Sequence, residues 1–532
     1  MNSIHFTLKT IVVTILGTAF CLTGCARHDY KAEADSEAYG IIDGKWDASF
    51  GDKVNYKTSD TDPIPGDARS DRSLDNFGVL TLAQSVALAT AHNRSYQNQK
   101  EALFVQALDL RLTRHKFDTL FFGGGSAGFN SDDKKDVIGA EANVGFNRLL
   151  ADGTRIGARV TMAWIDILSG DLTGGLTSIL GVAVVKPLLR GARRDVVLEG
   201  LTQAERDTLY AIRSFNRFRK SFVVSVITEY YTIVLLNQKA VYVGNYHKTL
   251  VQFYETTQKL VQAGRVPLLE LQRINQEVLQ ARADALIAQR TFEEAMDQFR
   301  ITLSMSGTAH FALDTKEFIA LDQAELTLPV FDEKEVIAAA LTRRLDVANV
   351  SDQVIDAQRK IGVAEDQLRA ELNLVAQSGL TSSAVGDRAR LQPYKNEYGL
   401  GLELDLPFDR LAEATDLRKA QIVLTQRQRE YEQVSSQVAV DIRKAYRRLL
   451  EATQHHQVQF EALALARKRL NNTHQLLRLN RISTRRVLTA MSDLYQAQNI
   501  HSDALISHAV ATLEFYRDTG VLHVKPDGMW KL

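Results

Sequence analysis

The chain has 532 residues, in which 64 basic and 64 acidic side chains cancel and 45% are hydrophobic. Zero formal charge leaves no basic face on the scale of the whole chain, which argues against a nucleic-acid partner. With only two cysteines, a disulfide scaffold or a cysteine-rich metal site is excluded.

At the N-terminus Lys9 precedes an apolar run from Ile11 to Leu22, too short to span a membrane comfortably. It reads as a signal peptide over residues 1–24. The run closes on Leu22-Thr23-Gly24-Cys25, which resembles the lipobox where bacterial lipoproteins are cut and acylated, so Cys25 is the expected lipid attachment site. The alternative is an ordinary secretory signal in which Cys25 is incidental. Cleavage removes Cys21 and leaves Cys25 alone, with no intrachain disulfide. Ala26 stands where an aspartate commonly retains bacterial lipoproteins at the inner membrane, and that resemblance favours the outer membrane. Residues 25–78, with Asp, Gly, Ser and two prolines, predict an extended tether from the lipid. A single fatty chain anchors only marginally, so several acyl chains are expected. Beyond the signal no apolar run approaches the roughly 20 residues of a membrane helix, and any crossing falls to strands.

Proline marks where long helices can run. Residues 188–266 and 408–525 contain none, and an interior proline costs about 3 kcal/mol. Leu201 to Ala263 and Leu411 to Leu479 are rich in Ala, Leu, Gln, Glu and Arg, with apolar residues recurring at three and four. A helix from about Asp195 to Ala263 is on the order of 100 Å long at 1.5 Å per residue. The turns that end these stretches are Gly264-Arg265-Val266-Pro267 and Asn480-Arg481-Ile482-Ser483. Glycine and asparagine tolerate the left-handed backbone that ends a helix, and proline or serine can begin the next. Further helical runs follow, Leu268 to Ser304 and Ser483 to Thr519. Pro187 to Gly264 is 77 residues and Pro407 to Asn480 is 73, so the chain reads as a duplication. The first repeat spans 79–310, with a short helix pair at about 81–116, strands at about 119–188 and a long hairpin at about 191–305. A linker at 311–331 leads to the second repeat, 332–520, with its helix pair at about 333–370, strands at about 373–406 and hairpin at about 410–519. Residues 521–532 form a tail.

The strand candidates are Thr119 to Phe129, Ile138 to Leu149, Thr154 to Trp164, Ser178 to Leu188, Asn373 to Ser383 and Tyr398 to Leu406. Tyr398 to Leu406 places leucine at every second position with Gly, Glu or Asp between, so one face is apolar and the other polar. Arg155 to Met162 alternates likewise. A half-buried soluble sheet alternates too, but several such strands in a lipoprotein with no other spanning segment point to a membrane barrel. Bacterial barrels have at least about 8 strands and leave no open edge. Six strands per chain do not close, nor do four if the hairpin from Ile138 to Trp164 projects instead, so several protomers must each supply a sector.

At this point the chain resembles the TolC family of outer-membrane factors, from about Leu80 to Gly520. The carrying segments are Val185-Lys186-Pro187-Leu188-Leu189-Arg190-Gly191 and Leu404-Asp405-Leu406-Pro407-Phe408, each before a long helix. The tips match as well: Leu260 to Leu271, with Gly264 and Val266, and Leu476 to Gln498, with Ile482-Ser483 and Val487-Leu488. The resemblance implies a mainly α fold with a transmembrane β-barrel sector, assembled as a homotrimeric α/β tube. It also implies that the tips (Gly264, Arg265, Val266, Asn480, Arg481, Ile482, Ser483) dock on a periplasmic adaptor, linked to an inner-membrane pump for drug efflux or type I secretion. At the entrance the chain departs from the family. Arg486 and Thr489 stand where the best-known members carry acids, with Arg478, Arg481 and Arg485 nearby. Glu270 keeps the acid of the family's closing contacts, whereas Leu477 and Ile482 replace its tyrosine and arginine partners. The expectation is a basic entrance held shut by Glu270 against Arg485 or Arg486. The alternative is a solvated arginine face, because exposed pairs contribute only ~0 to 1 kcal/mol.

No catalytic constellation, cofactor site or metal site is read from the sequence. Gly123-Gly124-Gly125 lacks the Gly-Lys-Ser/Thr of a phosphate loop and reads as a strand thinned by glycines. His455 and His456 point to different sides of a helix, with no further ligands apparent. Phe121, Phe122, Trp164, Tyr394 and Tyr398 are candidates for aromatic girdles. The function expected is conduction without chemistry. The rival is a non-pore periplasmic lipoprotein that spaces or scaffolds the envelope; an adaptor, with one hairpin and a lipoyl-like domain, fits less well. Replacing Cys25 with serine separates these readings. A barrel should still require detergent for extraction, and a variant that dissolves as a monomer in plain buffer would leave only the rod.

Overall fold

A computed structural model describes residues 29–58, 78–132, 135–167, 175–323, 332–383, 396–406, 408–479, 481–525 and 530–531. Cys25, the signal segment, Tyr394, Pro407 and Asn480 lie outside them. In chain order the elements are α1 (Tyr30–Lys45), β1 (Gly78–Leu80), α2 (Leu82–His92), α3 (Arg94–His115), β2 (Leu120–Asp132), β3 (Lys135–Leu149), β4 (Arg155–Ile167) and β5 (Gly175–Pro187). There follow α4 (Glu199–Gln262), α5 (Leu268–Thr302), β6 (Phe311–Leu313), α6 (Glu333–Arg343), α7 (Leu345–Gln367), β7 (Glu371–Ser383), β8 (Asn396–Asp405), α8 (Leu411–Arg478) and α9 (Thr484–Asp518).

The duplication is visible in the elements. Helices α2 and α3 are 11 and 22 residues long, and α6 and α7 are 11 and 23. Each pair breaks at one extended residue: Asn93, whose side chain caps Ser95 and Tyr96, and Arg344. The long helices α4 and α8 have 64 and 68 residues, about 100 Å each at 1.5 Å per residue, and the returning helices α5 and α9 have 35 each.

Both hairpin turns are closed by the same backbone device. At the first, Gly264 (φ +69°) donates to the Val261 carbonyl and Arg265 to that of Leu260, the Schellman pattern in which a left-handed residue satisfies the last carbonyls of a helix. At the second, Arg481 donates to Leu476, the equivalent six-residue bond. Pro267 and Ser483 then cap α5 and α9, as their residue types predict, although the Ser483 hydroxyl makes no capping bond.

The helices meet in a central core where Leu82 and Val86 of α2, Val223 to Val234 of α4, Phe299 of α5 and Val510 and Leu513 of α9 are buried together. The expected linker at 311–331 is not wholly a linker. β6 pairs in parallel with β1, and Tyr230 donates to the carbonyls of Leu80 and Asp314 on both sides of that pair. The tail is likewise packed, with Leu522 and Val524 in the same core. The extended tether also gives way, over residues 29–58, to helix α1 and a following segment. Tyr39, Ile42, Trp46, Phe50 and Tyr56 bury themselves against α3 and α4. The polar average composition of residues 25–78 conceals these anchors, which are enough to fix the segment.

All six predicted barrel strands form one antiparallel sheet in the order β2-β3-β4-β5-β7-β8. The hairpin whose placement the sequence leaves open, β3–β4, is therefore within the sheet. Its turn is seated at the sheet's foot, where a Cβ on Gly153 (φ +81°) would lie 2.5 Å from the Gly191 carbonyl oxygen and 2.8 Å from Pro187. Asp152 of the same turn lies 3.6 Å from Lys186 of β5. Gly153→Ala is expected to cost about 1–3 kcal/mol from the left-handed backbone alone, lowering the yield and melting temperature of the folded protein. Gly181→Ala, where a Cβ meets open space, should leave both near wild type, and equal behaviour of the two variants would show that the turn is not held.

Candidate functional site: the sheet wall and the hairpin tips

Because side chains alternate along a strand, the register sorts the sheet into two faces. One row runs Phe121, Phe146, Ala158, Val182, Ser378, Tyr398 across all six strands. The next row is Gly123, Val144, Val160, Leu180, Leu380. With Leu400, Leu402 and Leu404 of β8 this face is largely apolar, with Ser378 as a polar member and Asn396 the register partner of Leu380. The opposite face carries Glu141, Asn143, Asn147, Arg159, Gln377, Glu397 and Glu403, interspersed with glycines.

No residue of the six strands is buried, among those whose side chains are described. Leu400 is 78% exposed and Phe121 80%. A sheet in water covers at least one face with other elements, and here the described residues cover neither. The polar side is the hollow side: Phe122, Asn147, Arg159, Gly181, Gln377 and Glu397, one from each strand, line a common space of about 850 Å³. Glycines let the inner side chains lie flat along this wall. The Phe122 ring passes over Gly145, where a Cβ would clash at 2.6 Å, and meets the Arg159 guanidinium at 5.3 Å. Gln377 lies over Gly399 and Asn147 over Gly157 in the same way. Phe122 thus belongs to the hollow face and not to an aromatic girdle, whereas Phe121 and Tyr398 lie on the apolar face.

At the far end of the long helices the two hairpins are packed together. Leu250 and Phe253 of α4, Ile274 and Ala281 of α5, and Val487, Leu488 and Met491 of α9 form a buried cluster. Tyr246 and Tyr495 stack beside it at 4.8 Å with ring planes 2° apart. Val487 and Leu488 are thus structural, and Ile482 packs on the same cluster. Gly264, Arg265, Arg481 and Ser483 are exposed and Val266 half-buried. The sequence reading overlooked Leu268, Leu269 and Leu479, which are apolar and 59–65% exposed beside the turns. The signal was available, since Leu268 and Leu269 directly follow Pro267 at the first turn of a helix.

Within the single chain Glu270 lies 3.3 Å from Arg273, one turn along its own helix. Residues three apart share a helix face, so the nearest cation is local. Arg478, Arg481, Arg485, Arg486 and Thr489 are all exposed, and the Thr489 hydroxyl bonds back to the Arg485 carbonyl. Elsewhere His456 is buried with the rings of His501 and His508 at 5.3 and 6.2 Å. Burial, then the neighbouring His501 and His508, holds its imidazole below the ordinary histidine value, so it is neutral at neutral pH. Among the described residues no group of side chains could hold a metal ion.

Comparison with protein-family profiles and with curated protein sequences finds no match. Solved structures do match. The chain is similar to CusC, studied for the changes that accompany its folding and transmembrane channel formation, with a TM-score of 0.61 and 15% identity over 82% of this chain and 92% of that one. It is similar to the outer-membrane channel OprN, at 0.60 and 14% over 85% and 95%. The Campylobacter jejuni outer-membrane channel CmeC matches at 0.58 and 14%, over 84% and 87%. The chain has the TolC-type channel fold. Within that fold the described helices include none long and apolar enough to cross a membrane, and the sheet exposes Phe121, Val144, Leu180, Leu400, Leu402 and Leu404 on one face. The TolC-type tips here carry arginines, and their charge can be read electrically. Arg486→Ala is expected to shift ion selectivity in planar bilayers towards cations, and unchanged selectivity and conductance would reduce these arginines to a solvated face.

Proposed function

We propose that the chain is a channel subunit of the bacterial outer membrane, lipid-anchored at Cys25 and assembled as a homotrimer. In this reading it conducts substrates outward from a periplasmic adaptor and an inner-membrane pump, in efflux or type I secretion. The observation that carries the proposal is the sheet: a largely apolar face that runs across six strands and is covered by none of the described residues. Exposed apolar patches larger than a few hundred Å² mark a missing partner, and hydrocarbon is the partner that suits a whole face. Strands of 10 to 15 residues meet the roughly 9–11 needed to cross a bilayer when tilted.

The long hairpins continue the wall inward and present their tips to the adaptor. Leu268, Leu269 and Leu479 offer apolar contacts there, with arginines around them. The protein supplies a path and an assembly surface, with the driving energy coming from the pump. A scaffold rod would use the same hairpins but has no use for an uncovered leucine face. Purified full-length protein added to planar bilayers should give discrete current steps. A detergent-stable oligomer that inserts yet never conducts would count against the channel and favour the scaffold.

A further inference from the structure

The two halves of the chain differ at one place. Between α7 and α8 lie two strands, β7 and β8, but between α3 and α4 lie four, β2 to β5. β2 follows its short helix pair as β7 does, and β5 leads into its long helix as β8 does, so the surplus is the hairpin β3–β4.

We propose that this surplus hairpin is part of the membrane wall, that each copy therefore supplies a six-strand sector, and that β8 of one copy pairs with β2 of the next. The proposal rests on the channel reading and specifies its barrel. Three observations carry it. The hairpin is hydrogen-bonded into the sheet along both sides, from Leu120↔Asn147 to Asp132↔Lys135 and from Arg155↔Val185 to Ile165↔Gly175. Its faces match those of its neighbours: Val144, Phe146 and Val160 continue the apolar rows, while Glu141 and Arg159 fall on the hollow side. A hairpin projecting into water has no need of that alternation. Its turn is also fixed at the foot of the sheet by the close approach of Gly153 to Gly191 and by Asp152 beside Lys186.

The occupant of the sheet's two outer edges follows from the same geometry. Among the described residues nothing pairs with the outer edge of β2 or of β8, and hydrocarbon does not tolerate an open edge. Because six is even, β8 of one copy and β2 of the next run antiparallel, as a bacterial barrel requires. Three copies then make an 18-stranded barrel. At about 4.8 Å between strands and a tilt of about 40°, it measures roughly 35 Å across, against roughly 24 Å had each copy given four strands. A wall this wide places no size limit on small solutes or an unfolded polypeptide, so any sieving falls to the helical end.

Two measurements on the full-length protein test this. In the first, Val160→Arg puts a charge on the apolar face of the hairpin, and Thr161→Arg puts it one residue away on the hollow face. Val160→Arg should reduce detergent-stable oligomer in the outer-membrane fraction by roughly tenfold or more, with Thr161→Arg near wild type. Equal, wild-type amounts of both would place the hairpin in water and overturn the proposal. Should both variants be lost, the wild-type strand count decides. In that second measurement, electron cryomicroscopy of the wild-type oligomer should show 18 strands in one ring. A ring with four strands per copy and a projecting hairpin overturns the six-strand sector but leaves the channel standing. Absence of any closed ring overturns the channel reading and this proposal with it.

Discussion

The constraint on which the rest depends is a largely apolar sheet face that none of the described residues covers. The helices bury leucine, valine and aromatic side chains against one another in clusters along their length. The sheet has no such partner among the described residues, and burial of apolar area, at about 25 cal/mol per Å², is too large a term to leave unused over six strands. In the proposed channel, lipid on one side and further copies at the two edges complete what the single chain leaves open, and the polar, glycine-thinned face is left for the hollow.

The helical part is built to hold that sheet in place. At the junction, Gly191 donates its amide to the buried Asp366 carboxylate and Arg190 reaches Gln367, so the exit from β5 is tied to the end of α7, where β7 begins. Just below, Tyr210 of α4 donates to Asp356 of α7 at 2.5 Å, and Arg206 and Arg359 pair with the same carboxylate. Arg213 binds Asp352 one turn away. Such a network fixes the relative placement of two helices more than it stabilises them, because the desolvation of its charges offsets much of their attraction. The tie is specific, and it lies directly beneath the strands whose register must be preserved.

Much of the fold was legible because its signals are local. Proline-free stretches marked α4 and α8, alternation marked the six strands, and Gly264 marked the first turn, each through the backbone preference of the residue itself. Residues 29–58 were misread because a few aromatic anchors, Tyr39, Trp46 and Tyr56, act only when α3 and α4 are there to receive them. Val487 and Leu488, read as tip residues, are covered by the other hairpin, a contact that spacing along one helix does not reveal.

The sequence by itself determined the long helices, the six strands of the large sheet, that they repeat, and which face of each strand is apolar, since these depend on neighbours within a few residues. Only the tertiary structure decided that β3–β4 lies within the sheet, that the polar face is the hollow one, and that residues 30–45 pack as a helix. Those outcomes depend on hydrogen bonds and contacts between residues up to hundreds of positions apart, such as Ala376 opposite Val184, whose pairing no local pattern encodes.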